Sequence, residues 1–98
     1  MNHPIHRVCS FEIAGAYTLR IAFEDRTHQV IDFRPVLAGE LFGPLLDQKL
    51  FERVAIDTEA GTLVWPNGAD FDPATLHNWP TQGPAMIKLA KRWATVRA

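Results

Sequence analysis

The run WPNGADFDPATL, residues 65–76, constrains the fold more than any other part of the chain. Pro66 holds its backbone φ at about −65°, and Gly68 accepts the left-handed conformation that many turns require, so the chain reverses here. Asp72 is a residue type that caps the N-terminus of a helix, and Pro73 suits the first helical position. The run therefore predicts the end of a strand, a turn and the start of a short helix.

Most residues of this run have a structural role. Phe71 and Leu76 have the spacing of a hydrophobic staple around the start of the helix. Trp65 ends an apolar stretch, which is typical of a core residue. Folding requirements explain Asn67 and Asp70 least, so these two residues are candidates for contact with a partner.

Hydrophobic periodicity predicts an α+β fold. Apolar and polar residues alternate over about 5–11 and 17–23, and residues 28–33 are rich in strand formers, so three strands should form an antiparallel β-meander. Residues 54–57 and 62–65 should form a separate β-hairpin. Glycine and proline interrupt residues 37–46, which limits that stretch to a short helical turn, and Asp47 should cap another over 48–53.

The end of the chain predicts one longer helix over residues 84–97, with Pro84 in its first turn. Its expected apolar stripe consists of Met86, Leu89, Ala90, Trp93 and Val96. Residues 79–84, WPTQGP, are typical of a linker. We therefore expect an α+β domain over residues 1–78, with a small, mostly antiparallel sheet and short helices, and a linker with a C-terminal amphipathic helix over 79–98.

Charge is distributed unevenly along the 98 residues, although the net charge is only −1. Residues 84–98 contain four basic side chains and no acid, so the rest of the chain carries six basic and eleven acidic side chains. An acidic body with a basic tail can select a partner through local charge.

Cysteine content and hydropathy indicate the class of protein. Cys9 is the only cysteine, which excludes an internal disulfide and a four-cysteine zinc site, and we expect it to be buried. No stretch reaches the ~18 apolar residues of a membrane span, and the first residues do not resemble a signal peptide. We expect a cytoplasmic protein that has no membrane contact.

Reactive residues form no recognisable motif. His3 and His6 lie three apart on an extended chain, where they face opposite sides, and no carboxylate is placed beside them. His28 and His77 have no companion in the sequence. The chain contains no nucleophile elbow, glycine-rich phosphate loop or Cys–His signature. We therefore expect no cofactor, no metal and no enzymatic activity.

The motifs, in their order and spacing, resemble a known family over about residues 5–77. The matching residues are Phe23-Glu24-Asp25, Val30-Ile31-Asp32, Pro35-Val36-Leu37, Pro44-Leu45, Phe51, Trp65-Pro66-Asn67-Gly68, Asp70-Phe71, Pro73 and Leu76. They resemble the domain-of-unknown-function 2442 (DUF2442) family of small bacterial proteins. One departure is Arg26, where family members usually have glycine.

The resemblance implies a small α+β fold with no established activity. It also implies similarity to proteins often encoded beside another small protein in toxin–antitoxin-like pairs, some of which carry a DNA-binding helix-turn-helix. A single tail helix cannot form that motif by itself.

We therefore expect a non-catalytic protein–protein interaction module, as the antitoxin-like or regulatory member of a gene pair. Its partner would be another protein or a second copy of the chain. The alternative is a DNA- or RNA-binding regulator that uses the basic C-terminal helix. The candidate contact residues are Asn67, Asp70, Trp79, Lys88, Lys91 and Arg92.

Overall fold

The structure, a computed structural model, describes residues 6–96, with side chains as far as residue 93. Strands β1 (Val8–Gly15), β2 (Thr18–Phe23) and β3 (His28–Asp32) form an antiparallel sheet in that order, and β4 (Ala55–Asp57) pairs with β5 (Thr62–Val64). The helices are α1 (Gly39–Phe42), α2 (Gln48–Phe51), α3 (Pro73–His77) and α4 (Trp79–Val96), and 3₁₀ turns cover Arg34–Val36 and Gly43–Leu46. The predicted α+β class, with a meander, a hairpin, short helices and a C-terminal helix, is confirmed.

The meander buries one face. Leu19, Ile21 and Phe23 of β2 are almost inaccessible, as their alternation predicts. The prediction for β1 was wrong at Cys9, which is exposed. The register shifts between Val8 and Ser10, so the bulge at Cys9 reverses the alternation and directs Val8 inward instead.

The turn between β2 and β3 has a strained residue. Arg26 has φ 72°, the left-handed conformation that glycine adopts most easily. The turn closes because the Arg26 amide donates to the Phe23 carbonyl at 3.0 Å. Asp25 supports it, since its Oδ1 accepts from the Thr27 amide at 3.0 Å. Arginine at this position therefore keeps the turn geometry that glycine would favour.

Residues 65–76 form the predicted strand end, turn and helix start. The Trp65 amide donates to the Ala69 carbonyl at 2.9 Å, and Gly68 has φ 90°. Asp72 caps α3 by accepting from the Ala74 amide at 3.0 Å, and Pro73 is the first helical residue. The turn places α3 at the edge of the meander.

Aromatic rings fill the core between the meander, the hairpin and α4. Phe33 lies at its centre, fully buried, and its ring contacts those of Phe51, Trp65, Phe71 and Trp79, with centroids 5.2–6.0 Å apart. The Trp65 indole donates from Nε1 to the Phe51 carbonyl at 2.9 Å. The indole donor of buried Trp65 is therefore satisfied inside a core that excludes water.

The segment predicted as a linker, residues 79–84, is instead the beginning of α4. Pro80 opens this helix rather than only ending the previous one, and the Asn78 carbonyl accepts from the amides of residues 81 and 82 at 2.9 Å. Gly83 lies under the Trp79 indole, where a Cβ atom would stand 2.7 Å from Nε1. The glycine is therefore a packing requirement and does not mark a flexible linker.

The buried side of α4 also differs from the predicted stripe. Ala90 is 2% exposed, and Met86 and Ile87 pack against the core, whereas Leu89 is 40% and Trp93 36% exposed. The Val96 side chain lies outside the described residues. The helix shares the core of the preceding domain, and the stripe is turned so that Ile87 replaces Leu89. Within the described part of the chain, no helix combines the length and apolar character needed to cross a membrane.

Candidate functional site

Asn67 and Asp70, neighbours in the turn, have different surroundings. The Asn67 side chain donates from Nδ2 to the Leu41 carbonyl at 2.8 Å and accepts from the Ala69 amide at 3.2 Å. Asn67 therefore ties α1 to the turn, which gives it a structural role that the sequence did not reveal. Asp70 is exposed, and its main chain forms an isolated bridge with Val64.

The other predicted contact residues all lie on α4. Trp79 is half-buried and packs on Phe33 and Phe71, with ring centroids 5.7 and 6.1 Å apart. Lys88, Lys91 and Arg92 are exposed. The structure thus places Trp79 at the edge of the core and leaves the cations at the surface.

An apolar groove lies between α1 and α4. It is lined by Ala38, Gly39, Glu40, Leu41, Phe42 and Trp93 and has a volume of about 320 Å³. A second depression of about 480 Å³ shares residues 38–40 and extends to Pro44 and Leu46. We call the two together the α1 groove. The sequence signal for it was the apolar but glycine- and proline-interrupted stretch 37–46.

A polar cluster lies at one end of the meander. It consists of His6, which precedes β1, Asp25 in the β2–β3 turn, and His77 at the end of α3. His77 Nε2 lies 2.6 Å from Asp25 Oδ2, and the His6 ring stacks on the His77 ring with centroids 3.8 Å apart. One nitrogen or oxygen ligand atom from each side chain lies within 4.8 Å of the others, so the cluster is able to hold a metal ion.

His77 is held from several sides. Its Nδ1 lies 3.1 Å from Asn78 Oδ1, and its carbonyl accepts from Gln29 Nε2 at 2.8 Å. The Phe23 ring meets the imidazole edge-on, with centroids 5.0 Å apart. These contacts fix the ring so that Nε2 is directed to Asp25.

Hydrogen bonds within the cluster shift two pKa values in opposite directions. Bonds from the Thr27 hydroxyl and amide, with a further contribution from His77, lower the pKa of Asp25 from 3.8 to about 2. The bond to Asn78, followed by the bond and charge of Asp25, raises the pKa of His77 above 6.5 although partial burial opposes this. Both shifts favour a charged Asp25–His77 pair at mildly acidic pH.

Sequence reasoning missed this cluster. It treated His77 as a histidine without a companion, whereas Asp25 lies beside it. His3, which was predicted to face the opposite side of the chain from His6, lies outside the described residues. No local pattern joins the three segments, and only the antiparallel turn and the short α3 bring them together.

The comparison with family models is decisive for classification. Residues 8–81 match the family described as "Protein of unknown function (DUF2442)". The chain belongs to this family. The comparisons with curated proteins and with solved structures gave no match.

The DUF2442 match covers the meander, the hairpin and α3, and it ends within the first turn of α4. Asp25 and His77 of the cluster, and the α1 side of the groove, lie inside the matched range. His6 and Trp93 lie outside it. Both candidate sites thus combine residues of the DUF2442 domain with residues that flank the match.

Proposed function

We propose that this DUF2442 protein is a non-catalytic protein-interaction module, and that the α1 groove receives a segment of a different protein. This segment inserts apolar side chains into the groove and carries acidic side chains beside them. The observation that supports this is the distribution of exposed apolar side chains. Six large ones are exposed among the described residues, and four of them, Leu41, Leu46, Leu89 and Trp93, belong to the groove or to the flank of α4 beside it. Clustered exposed apolar side chains are typical of binding surfaces.

The groove has the construction of a site for a helix or an extended peptide. Trp93 forms one wall, since its ring atoms lie 3.6–3.8 Å from where a Cβ on Gly39 would stand. Leu89 lies one helical turn before Trp93 on the same flank of α4. A partner helix would insert apolar side chains between this flank and Leu41, as in helix-in-groove recognition.

Charge favours a different protein over a second copy. Lys88 and Arg92 are exposed on α4 beside Leu89 and Trp93. A symmetric pairing of two copies through the α1 groove that placed these cations beside their equivalents would carry an electrostatic cost. An acidic partner segment would gain from the same charges. We propose that the protein acts in this way as the antitoxin-like or regulatory member of a gene pair in the cytoplasm.

The proposal is tested by site-specific photocrosslinking in the native host, with the crosslinker at position 41 and, as the control, at Val30, which is 64% exposed on the sheet. The captured protein is then purified and its affinity measured. Leu41→Asp and Trp93→Ala should each weaken binding at least about tenfold, as expected for residues at the centre of an interface, whereas Val30→Asp should not. Crosslinking of the chain only to itself, or equal weakening by all three variants, would contradict the proposal.

The second candidate function is binding of DNA or RNA. It rests on Lys88 and Arg92, which are exposed and four residues apart on the α4 surface away from buried Ala90. It predicts a mobility shift that weakens steeply with salt and disappears in Lys88→Gln/Arg92→Gln. The absence of a shift at low salt would rule it out.

A further inference from the structure

The His6–Asp25–His77 cluster offers three metal-ligating atoms from three separate segments. One atom from each side chain lies within 4.8 Å of the others. Two imidazoles and a carboxylate form the ligand set of open three-ligand zinc centres, in which water completes the coordination. Imidazole suits zinc, copper and nickel, whereas magnesium and calcium prefer oxygen ligands. The ligand set therefore favours a transition-metal dication.

Two of the three ligands are already oriented by further contacts. Asp25 uses Oδ1 to accept from both the amide and the hydroxyl of Thr27, so Oδ2 is directed to His77. His77 has Asn78 Oδ1 at Nδ1, which leaves Nε2 for the cluster. A ligating histidine almost always donates its other ring N–H to an oxygen, which fixes its tautomer and orientation. Asn78 occupies that position here.

The surroundings hold the ligands but leave a path for an ion. The side chain of His77 is 18% exposed, and that of Asp25 is 41% exposed. The Phe23 ring and the Gln29 amide restrain the imidazole and main chain of His77 from the interior side. An ion can therefore enter beside Asp25 without any opening of the core.

Only small movements separate the present geometry from a metal site. Ligand atoms around tetrahedral zinc stand about 3.3 Å apart, given zinc–ligand distances of about 2.0–2.2 Å. The 2.6 Å between Asp25 Oδ2 and His77 Nε2 must widen by less than about 1 Å. The His6 ring must also turn out of its stack on His77. His6 precedes β1, so this rotation breaks no strand pairing.

We propose that His6, Asp25 and His77 form a zinc site that holds one ion per chain. Zinc takes the place of the proton between Asp25 Oδ2 and His77 Nε2, and a ring nitrogen of His6 provides the third ligand. The ion joins the segment before β1, the β2–β3 turn and the end of α3. It thereby clamps the segment at His6 onto the DUF2442 domain.

A zinc titration against a chromophoric chelator tests the site. The protein is used without an affinity tag and carries His3→Ala, so that neither a tag nor a histidine outside the described residues supplies a ligand. We expect one zinc per chain and no displacement by excess magnesium. In the ¹H–¹⁵N spectrum of the imidazoles, zinc should shift the ring resonances of His6 and His77 and leave those of His28, exposed on β3, in place.

Variants assign the ligands. His6→Ala and Asp25→Asn should lower zinc affinity more than about 100-fold, and Asn78→Ala about 10-fold, the smaller loss typical of a supporting residue. His28→Ala is the matched control and should leave the affinity unchanged. Urea unfolding in the presence of a chelator identifies any variant that fails to fold. For the residue changed in such a variant, the zinc-induced shifts in the imidazole spectrum of the folded parent decide whether the cluster binds the ion. Absence of zinc uptake, equal loss in His28→Ala, or shifts that spare His6 and His77 would overturn the proposal.

Discussion

The turn over residues 65–76 and the His6–Asp25–His77 cluster both join distant parts of the fold, but they use opposite chemistry. Trp65 is 3% exposed, packed among aromatic rings, and its only polar atom is bonded to a carbonyl. The cluster is polar and half-exposed, and its charges are screened by water. A dry contact of the first kind stabilises the native state. A polar, partly exposed cluster stabilises the native state little, and the proton that its side chains share can be exchanged for another ligand.

The largest effect on stability should come from the buried aromatic contacts of Trp65. Trp65→Ala should lower the free energy of unfolding by about 3–5 kcal/mol, because it removes a buried ring and leaves a cavity. Urea unfolding measures the loss. Trp65→Phe keeps a ring but removes the indole donor to the Phe51 carbonyl, which still accepts from the Val54 amide at 3.3 Å, so its loss should be intermediate. A loss below about 1 kcal/mol for Trp65→Ala, the average effect of a point substitution, would show that the core does not depend on this ring.

The next effect tests whether α4 belongs to the same core. Gly83→Ala should cost about 1–3 kcal/mol, because the new methyl group would displace the Trp79 indole. Gly43→Ala is the control, since its Cβ would meet only the Ala38 carbonyl carbon, at 3.8 Å, and its φ is −55°. That substitution should be neutral or stabilise by about 0.4–1 kcal/mol. Equal outcomes for the two glycines would contradict the packing of Trp79 on Gly83.

A smaller effect separates the two candidate residues of the turn. Asn67→Ala should cost about 1 kcal/mol, because the hydrogen bonds to Leu41 and Ala69 are lost. Asp70→Ala should change stability by less than about 0.5 kcal/mol, as is usual for an exposed side chain. Thermal or urea unfolding distinguishes them. If Asp70→Ala proved the more destabilising, the assignment of Asn67 as the structural member would be wrong.

The difference between the two regions also explains what the sequence could predict. The structure of residues 65–76 depends on interactions between close neighbours in the sequence. Gly68, Asp72 and Pro73 each favour one backbone conformation by residue type alone, so the strand end, the turn and the cap were all predicted. Trp79 and Gly83 are also close in the sequence. However, the prolines and the glycine of residues 79–84 are typical of a linker, so the packing of Trp79 on Gly83 was not predicted. His77 and Asp25 meet across 52 residues, and only the completed fold places them together. The α1 groove was missed because Trp93 faces outward after a rotation of the predicted stripe.

The smallest effect is the contribution of the polar cluster to the free energy of unfolding, which should depend on pH. It is measured on protein that a chelator keeps free of metal. Because the pKa of Asp25 is lowered to about 2 from 3.8, the carboxylate stabilises the fold above about pH 4 and loses this effect as the pH falls toward 2. Because the pKa of His77 is raised from 6.5, its contribution is complete below pH 6.5 and disappears as the pH rises through the raised value. The pair should therefore stabilise the fold most between these two limits.

Asp25→Asn exposes this contribution without removing the turn. The free energy of unfolding of the wild type minus that of Asp25→Asn should be largest at mildly acidic pH and should shrink on both sides. Nuclear magnetic resonance titration should also show a lower pKa for His77 in the variant, since the bond and charge of Asp25 are gone. Asp70→Asn, at an exposed aspartate outside the cluster, is the control and should leave both measurements unchanged. A difference that shrinks only on the acidic side, and stays constant as the pH rises through the pKa of His77, would mean that Asp25 acts only through Thr27. The cluster would then be an extension of the turn and not a second, exchangeable site.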